Sequence, residues 1–209
     1  MARDAGQGQG DAAWRLCRRG RCRGGARRVC AGGGGFVSGA DLQGYRRTPT
    51  AGVQVRSDIV EAFVCARRAE GVELLLLERA TPPLAGAWQP VLGHMEQGES
   101  AAQCLFRELA EEIGLTPQGG QLLGVWAIEG VQPYYVPQIE AIVLSPRFVV
   151  DVTADFVPAL NEEHSAWRWT RRWDDLLWPS QRRAWREALE RIVEAEDQQL
   201  RTLLRVEPP

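Results

Sequence analysis

The chain contains no lysine: all 25 of its basic residues are arginine, set against 27 acidic residues for a formal net charge of −2. An arginine-only complement suits a GC-rich coding sequence better than any functional demand. Histidine is nearly absent, with two residues. No apolar run approaches the roughly 18 residues that a membrane span requires, which argues against a membrane partner. A secretory leader needs an apolar central stretch near the start, and none is found there. The five cysteines form no disulfide framework. Cys17, Cys22 and Cys30 have the look of a zinc half-site without a fourth ligand, and both histidines lie far downstream. Cys65 and Cys104 fall in an expected strand and helix and read as small core residues. A reducing cytoplasm fits this pattern.

What is present divides unevenly. Residues 1–52 hold ten Arg, three Asp and thirteen Gly, a local charge of +7, whereas residues 53–209 carry −9. A segment so rich in Arg and Gly cannot bury enough apolar surface to offset the entropy of ordering its backbone. It reads as a disordered extension, with the functional start near Val53 or Val55. An organellar transit peptide and an Arg-Gly RNA contact are the other readings of this segment. The remaining 53–209 read as one domain with an apolar core. Its acidic balance makes nucleic acid an unexpected partner.

The most informative stretch is 93–115, GHMEQGESAAQCLFRELAEEIGL. Good helix formers run from Glu99 to Ile113, with Ala101, Ala102, Leu105, Leu109 and Ile113 recurring on one side, and Gly114 is placed to end the helix in a left-handed conformation. Glu108, Glu111 and Glu112 are spaced i+3 and i+4, which crowds three carboxylates onto one face. Like charges at this spacing cost a few tenths of a kcal/mol each, and the last turns of a helix favour cations. A helix shaped only for stability would avoid such an arrangement. Three hard oxygen donors beside a glycine-rich loop suit a magnesium ion that keeps several waters and contacts phosphates. A bare ExxEE is often just a solvated acidic face. Here Gly93, Glu99 and Arg107 stand in register with it, and chance agreement at every position is on the order of one in ten million.

This stretch resembles the Nudix box, G-x5-E-x7-R-E-U-x-E-E-x-G-U with U a bulky aliphatic, and fills every specified position. The resemblance covers residues 55 to about 195 and implies the Nudix fold: α/β, a mixed sheet sandwiched between helices, with a long C-terminal helix. It implies hydrolysis of a diphosphate linkage with Mg2+, or Mn2+ in its place, held by Glu108, Glu111 and Glu112. Arg107 is expected to pair with Glu99 and orient these glutamates. Arg79, closing an expected strand, holds the place of an arginine that faces substrate phosphates in such proteins. A solvated strand-end charge is the equal alternative.

The flanks give further expectations. SDIVEAFVCARR and VELLLLERA read as a hairpin, and WQPVLG as a short strand delivering Gly93 to the metal. QLLGVWAIEG and QIEAIVLSP read as strands around VQPYYVP, whose Tyr134 and Tyr135 could stack on a base or simply pack. SAWRW reads as a half-buried strand, and Pro179-Ser180 opens a helix over 181–205 with Trp185, Leu189, Ile192 and Val193 on one face. WQPVLGHMEQGE, EEHSAWRW and LLWPSQRRA resemble the bacterial dihydroneopterin triphosphate diphosphatase branch, in which a Glu before a His completes the metal site. Glu163-His164 holds that place, with Glu140 as the runner-up, and Leu92 stands where that branch has Thr. The substrate so implied is a phosphorylated small molecule, a nucleoside or dihydroneopterin triphosphate, with pyrophosphate released. A dinucleoside polyphosphate hydrolase and a non-catalytic ligand-binding regulator are the alternatives.

Overall fold

The computed structural model describes residues 52–82, 84–194 and 198–209. The extension expected over 1–52 lies outside these residues, apart from Gly52, as do Cys17, Cys22 and Cys30.

The hairpin is formed by β2 (Ile59–Arg68) and β3 (Gly71–Arg79), paired antiparallel. Both strands are buried on two faces. Val60, Ala62, Val64 and Ala66 of β2 point into one core, and Phe63 and Cys65 into another. Leu75 and Leu77 of β3 join the first core, Leu74 and Leu76 the second. This is the period-2 geometry of a strand between two apolar layers. The WQPVLG segment splits at Pro90, which has no N–H to donate. Trp88–Gln89 (β4) pairs with β3, and Val91–His94 (β5) pairs with β2.

Helix α1 (Ala101–Ile113) starts two residues later than expected, because Ser100 accepts from Gln103 N while the Gln103 side chain accepts from Ser100 N. Glu99 therefore lies in the loop before the helix. Gly114 is the left-handed C-cap, with φ 69°. Leu105, Leu109 and Ile113 are fully buried against the first core, a contribution of about 1.5–3 kcal/mol each. Cys104 and Cys65 are both free and buried, as small core residues should be.

Beyond α1 the chain adds β6 (Leu122–Ile128), β7 (Tyr134–Val136), β8 (Ala141–Val143), β9 (Arg147–Val152) and β10 (His164–Thr170). The main sheet runs β10-β3-β2-β9-β6, with β2 and β9 parallel and the other pairs in that order antiparallel. With Gln54–Arg56 as β1, a small sheet forms in the order β1-β8-β7. QIEAIVLSP is corrected by this arrangement. Only Ala141–Val143 is strand, and Glu140 sits in a turn with φ 49°, its carboxylate accepting from Tyr135 Oη at 2.8 Å. The strand β9 was not expected, and all six of its residues are buried.

The second core is covered by α2 (Pro179–Ala188) and a π-helical turn at Leu189–Val193, through Ala184, Trp185, Ala188, Ile192 and Val193. The expected apolar face is therefore present, whereas the single helix over 181–205 is corrected. Glu194 N donates to Leu189 O, widening the helix by a residue, and α3 (Gln198–Leu204) is a separate element. Arg201 of α3 lies 4.5 Å from the Trp126 ring centroid, and Val206 N donates to Val125 O. The result is a mixed sheet between helical layers. Among the described residues no helix is long and apolar enough to cross a membrane.

Candidate active site

A cavity of about 590 Å³ opens where β5, the second half of α1, the 163 turn and the start of α2 meet. Its position follows from register: Val60 pairs with Gly93 and Ile59 with His94, which sets β5 beside α1. At Gly93 the backbone and helix approach so closely that a Cβ would stand 2.0 Å from Glu108 Cγ. Only glycine leaves Glu108 its place.

Arg107 organises the loop and the helix face together. Its Nε and Nη2 donate to the two oxygens of Glu99 at 2.9 Å each, and Nη2 also donates to His94 O at 2.9 Å. Nη1 donates to Glu108 Oε1 at 2.7 Å and to Glu111 Oε2 at 3.1 Å. Glu99 in turn accepts from Glu96 N. The bond from Arg107, assisted by its charge, holds the Glu99 carboxyl down at about 2, and the same partners raise Arg107. The expected pairing of Arg107 with Glu99 is thus present and bidentate.

Glu108 and Glu112 face inward. Burial pushes both carboxyls above the usual range, opposed by Arg107 at Glu108 and by His164 at Glu112. Glu112 Oε2 lies 3.2 Å from His164 Nε2, but the two are not aligned as a hydrogen bond, and neither atom has a hydrogen-bond partner among the described residues. Glu111 is more exposed. Glu163 lines the same cavity from the loop before β10, 3.7 Å from Arg79 Nη1. Its negative charge adds to the effect of burial in raising Glu108 and Glu112. The turn that presents Glu163 is tied by Glu163 N to Asn161 Oδ1 and by Ala80 N to Glu163 O.

Glu108, Glu111, Glu112, Glu163, Arg79, Arg107, Gly93 and Tyr134 are therefore brought to one cavity. Glu99 stands behind it as the partner of Arg107. Tyr135 is half exposed and bonded to Glu140, away from the cavity lining, and Glu162 is likewise outside it. Among the described residues no three acidic, His or Cys side chains converge closely enough to hold an ion as they stand. Glu108 and Glu111 are turned onto Arg107 and Glu112 onto His164. The donor set nonetheless fits a hard divalent cation: Glu108, Glu111, Glu112 and Glu163 line one cavity, and a buried oxygen of Glu112 lacks a hydrogen bond.

Sequence reasoning missed Glu61, Gln89, Trp178 and Gln181, which also line the cavity. Glu61 is fully buried and accepts from Arg147 Nε and Nη2 at 3.1 and 3.3 Å. Burial, reinforced by the Glu61 charge, pushes the Tyr134 hydroxyl up to about 12. A lone acid within the apolar run IVEAFVCA was the available signal for Glu61. Gln89 and Gln181 gave none.

Comparison with known proteins places this geometry. A family model described as NUDIX domain matches residues 58–193. An RNA pyrophosphohydrolase of Teredinibacter turnerae is 29% identical over 168 residues, 73% of this chain and 88% of that protein. A human 8-oxo-dGDP phosphatase, NUDT18, is 33% identical over 97 residues, 46% of this chain but only 30% of that protein's length. Among solved structures, the E. coli dihydroneopterin triphosphate pyrophosphohydrolase superposes with a TM-score of 0.54 at 20% identity, covering 68% of this chain and 99% of that one. That likeness is one of fold.

Proposed function

This chain belongs to the Nudix family, and from that membership we propose that it is a Mg2+-dependent hydrolase cleaving the diphosphate linkage of a nucleoside or dihydroneopterin triphosphate, with release of pyrophosphate. One observation carries the reading: Glu108, Glu111, Glu112 and Glu163 line a single cavity together with Arg79 and Arg107. The relative named as an RNA pyrophosphohydrolase supports the reaction class. The catalytic unit in this reading is 53–209, acting in the cytoplasm.

Glu108, Glu111 and Glu112 would hold the ion from the helix, and Glu163 from the opposing turn. When bound, Mg2+ or Mn2+ lowers the pKa of a coordinated water and neutralises charge on the phosphates. Arg107 anchors Glu99 and the 94–99 loop, so it fixes the loop against the helix and orients Glu108 and Glu111 as a positioning residue. Arg79 faces the cavity beside Glu163 and offers its guanidinium to a phosphate oxygen. Gly93 leaves the space that Glu108 occupies. Water adds to one phosphorus of the anhydride, the bridging P–O bond breaks, and the other phosphate fragment leaves.

The test is product analysis over a panel of nucleoside triphosphates, dihydroneopterin triphosphate and dinucleoside polyphosphates with Mg2+ in 18O-labelled water. The reading expects pyrophosphate and a monophosphate, with one label in one product. Release from dinucleoside polyphosphates alone would replace the substrate. Binding without turnover of any panel member would make the protein a ligand-binding regulator.

A further inference from the structure

Gln89 and Gln181 are uncharged, buried polar side chains of the cavity that the proposed chemistry leaves unused. They come from different elements, β4 and the first turn of α2, and they are only 4% and 2% exposed. Gln89 Nε2 and Gln181 Oε1 are buried without a hydrogen-bond partner among the described residues. One cavity thus holds an unused amide donor and an unused amide acceptor, both lining it.

Buried polar atoms without partners are rare because each forfeits its hydration. Two in one cavity, of complementary sense, call for a ligand. Both residues are fixed through their backbones: Gln89 pairs with Leu77 between β4 and β3, and Gln181 N donates to Trp178 O in the first turn of α2. Trp178 also lines the cavity and is 44% exposed, presenting a flat aromatic surface at its edge.

We propose that Gln89 and Gln181 form the subsite that reads the ring of the substrate, a planar heterocycle carrying a hydrogen-bond acceptor beside a donor on one edge. The amide N–H of Gln89 donates to the ring's acceptor, and the Gln181 carbonyl accepts from its donor. Trp178 supplies the apolar wall on which such a ring packs. Nucleobases and pterins share this edge chemistry. The inference rests on the hydrolase reading for the phosphates attached to the ring, but not for the recognition of the ring itself.

The experiment is equilibrium titration, without added metal, of AMP, GMP, CMP, UMP and neopterin, with ribose 5-phosphate as the ligand lacking a ring. The proteins are the full chain and its Gln89→Leu, Gln89→Glu and Gln181→Leu variants. At least one ring-bearing ligand should bind the full chain tenfold or more tighter than ribose 5-phosphate. Preference for the nucleotides or for neopterin identifies which source supplies the ring. Each variant should lose at least tenfold for that ligand. Gln89→Glu has nearly the same shape and lacks the amide donors. A merely structural role for these amides predicts a lower melting temperature in the leucine variants. The ligand role predicts an unchanged or higher one, because leucine replaces a buried group that had no partner. Ring-bearing ligands binding no better than ribose 5-phosphate, or variants binding like the parent, would overturn the proposal. Amide-dependent ring binding with no phosphate release from any triphosphate would sink the hydrolase reading alone. Hydrolysis unaffected by all three variants would sink the inference alone.

Discussion

Placing a methyl group at position 93 should dismantle the site while leaving the fold. An alanine Cβ there would lie 2.0 Å from Glu108 Cγ, 2.4 Å from Cδ and 2.5 Å from Oε1. Carbon atoms in ordinary contact stand about 3.5–4.0 Å apart, so Glu108 must retreat by about 1.5 Å or more. Its bond to Arg107 Nη1, 2.7 Å in the parent, cannot survive that shift unchanged. Overpacking of this kind costs about 1–3 kcal/mol, and misplacing a reacting group by about 1 Å costs roughly 100-fold in rate. Gly93→Ala should therefore lose about two orders of magnitude in kcat, measured as phosphate release, with a modest fall in denaturation midpoint. The double variant Gly93→Ala/Glu108→Ala should recover the midpoint, because the clash is gone, but not the rate. Near-parental turnover in Gly93→Ala would refute both the position and the importance assigned to Glu108.

Three other outcomes are expected. Glu163→Gln should lower turnover by more than the roughly 100-fold typical of groups outside the ligand set, whereas Glu162→Gln and Glu140→Gln should be mild in the same assay; equal small effects at all three would remove Glu163 from the site. Arg147→Met strands the Glu61 carboxylate in the interior and should cost about 3–5 kcal/mol in chemical denaturation, while Glu61→Leu/Arg147→Met should restore most of it; an undiminished loss in the double variant would contradict the pairing. Glu99 has its carboxyl pKa lowered from 4.5 to about 2 by Arg107, so its contribution to stability is present above the unfolded value and is lost as pH falls towards 2. The melting temperature of the parent should accordingly drop further between pH 5 and 2 than that of Glu99→Gln, and parallel curves would count against the bidentate bond.

The parts of the fold legible in the sequence are those set by local signals. Helix α1 announces itself through its apolar spacing, and its Gly114 cap and crowded glutamates lie within a single stretch of 23 residues. The strands β2 and β3 show as runs of β-formers around a turn. The strand β9 was invisible because its residues are buried on both faces, so no alternation appears, while Arg147 and Asp151 interrupt its apolar run. Its partner β2 lies 86 residues away in sequence at the Glu61–Arg147 pair. Glu140 read as strand because nothing local marks its left-handed turn; a non-glycine residue rarely adopts one. The site follows the same division. Glu108, Glu111, Glu112 and Arg107 belong to one helix and could be assembled on paper. Gln89 and Gln181 become neighbours of one cavity only through the pairing of β4 with β3 and the packing of α2 on the second core.

The central claim is that the carboxylates of α1 act through a divalent ion. The most direct measurement is the single-turnover rate of phosphate release from the preferred triphosphate, with and without Mg2+, for the parent and Glu112→Gln. The account predicts fast release only for the parent with Mg2+, and a Glu112→Gln protein that melts at or above the parental temperature without Mg2+, since a buried charge has been removed. Metal-independent release by the parent, or Mg2+-stimulated release by Glu112→Gln at the parental rate, would contradict it.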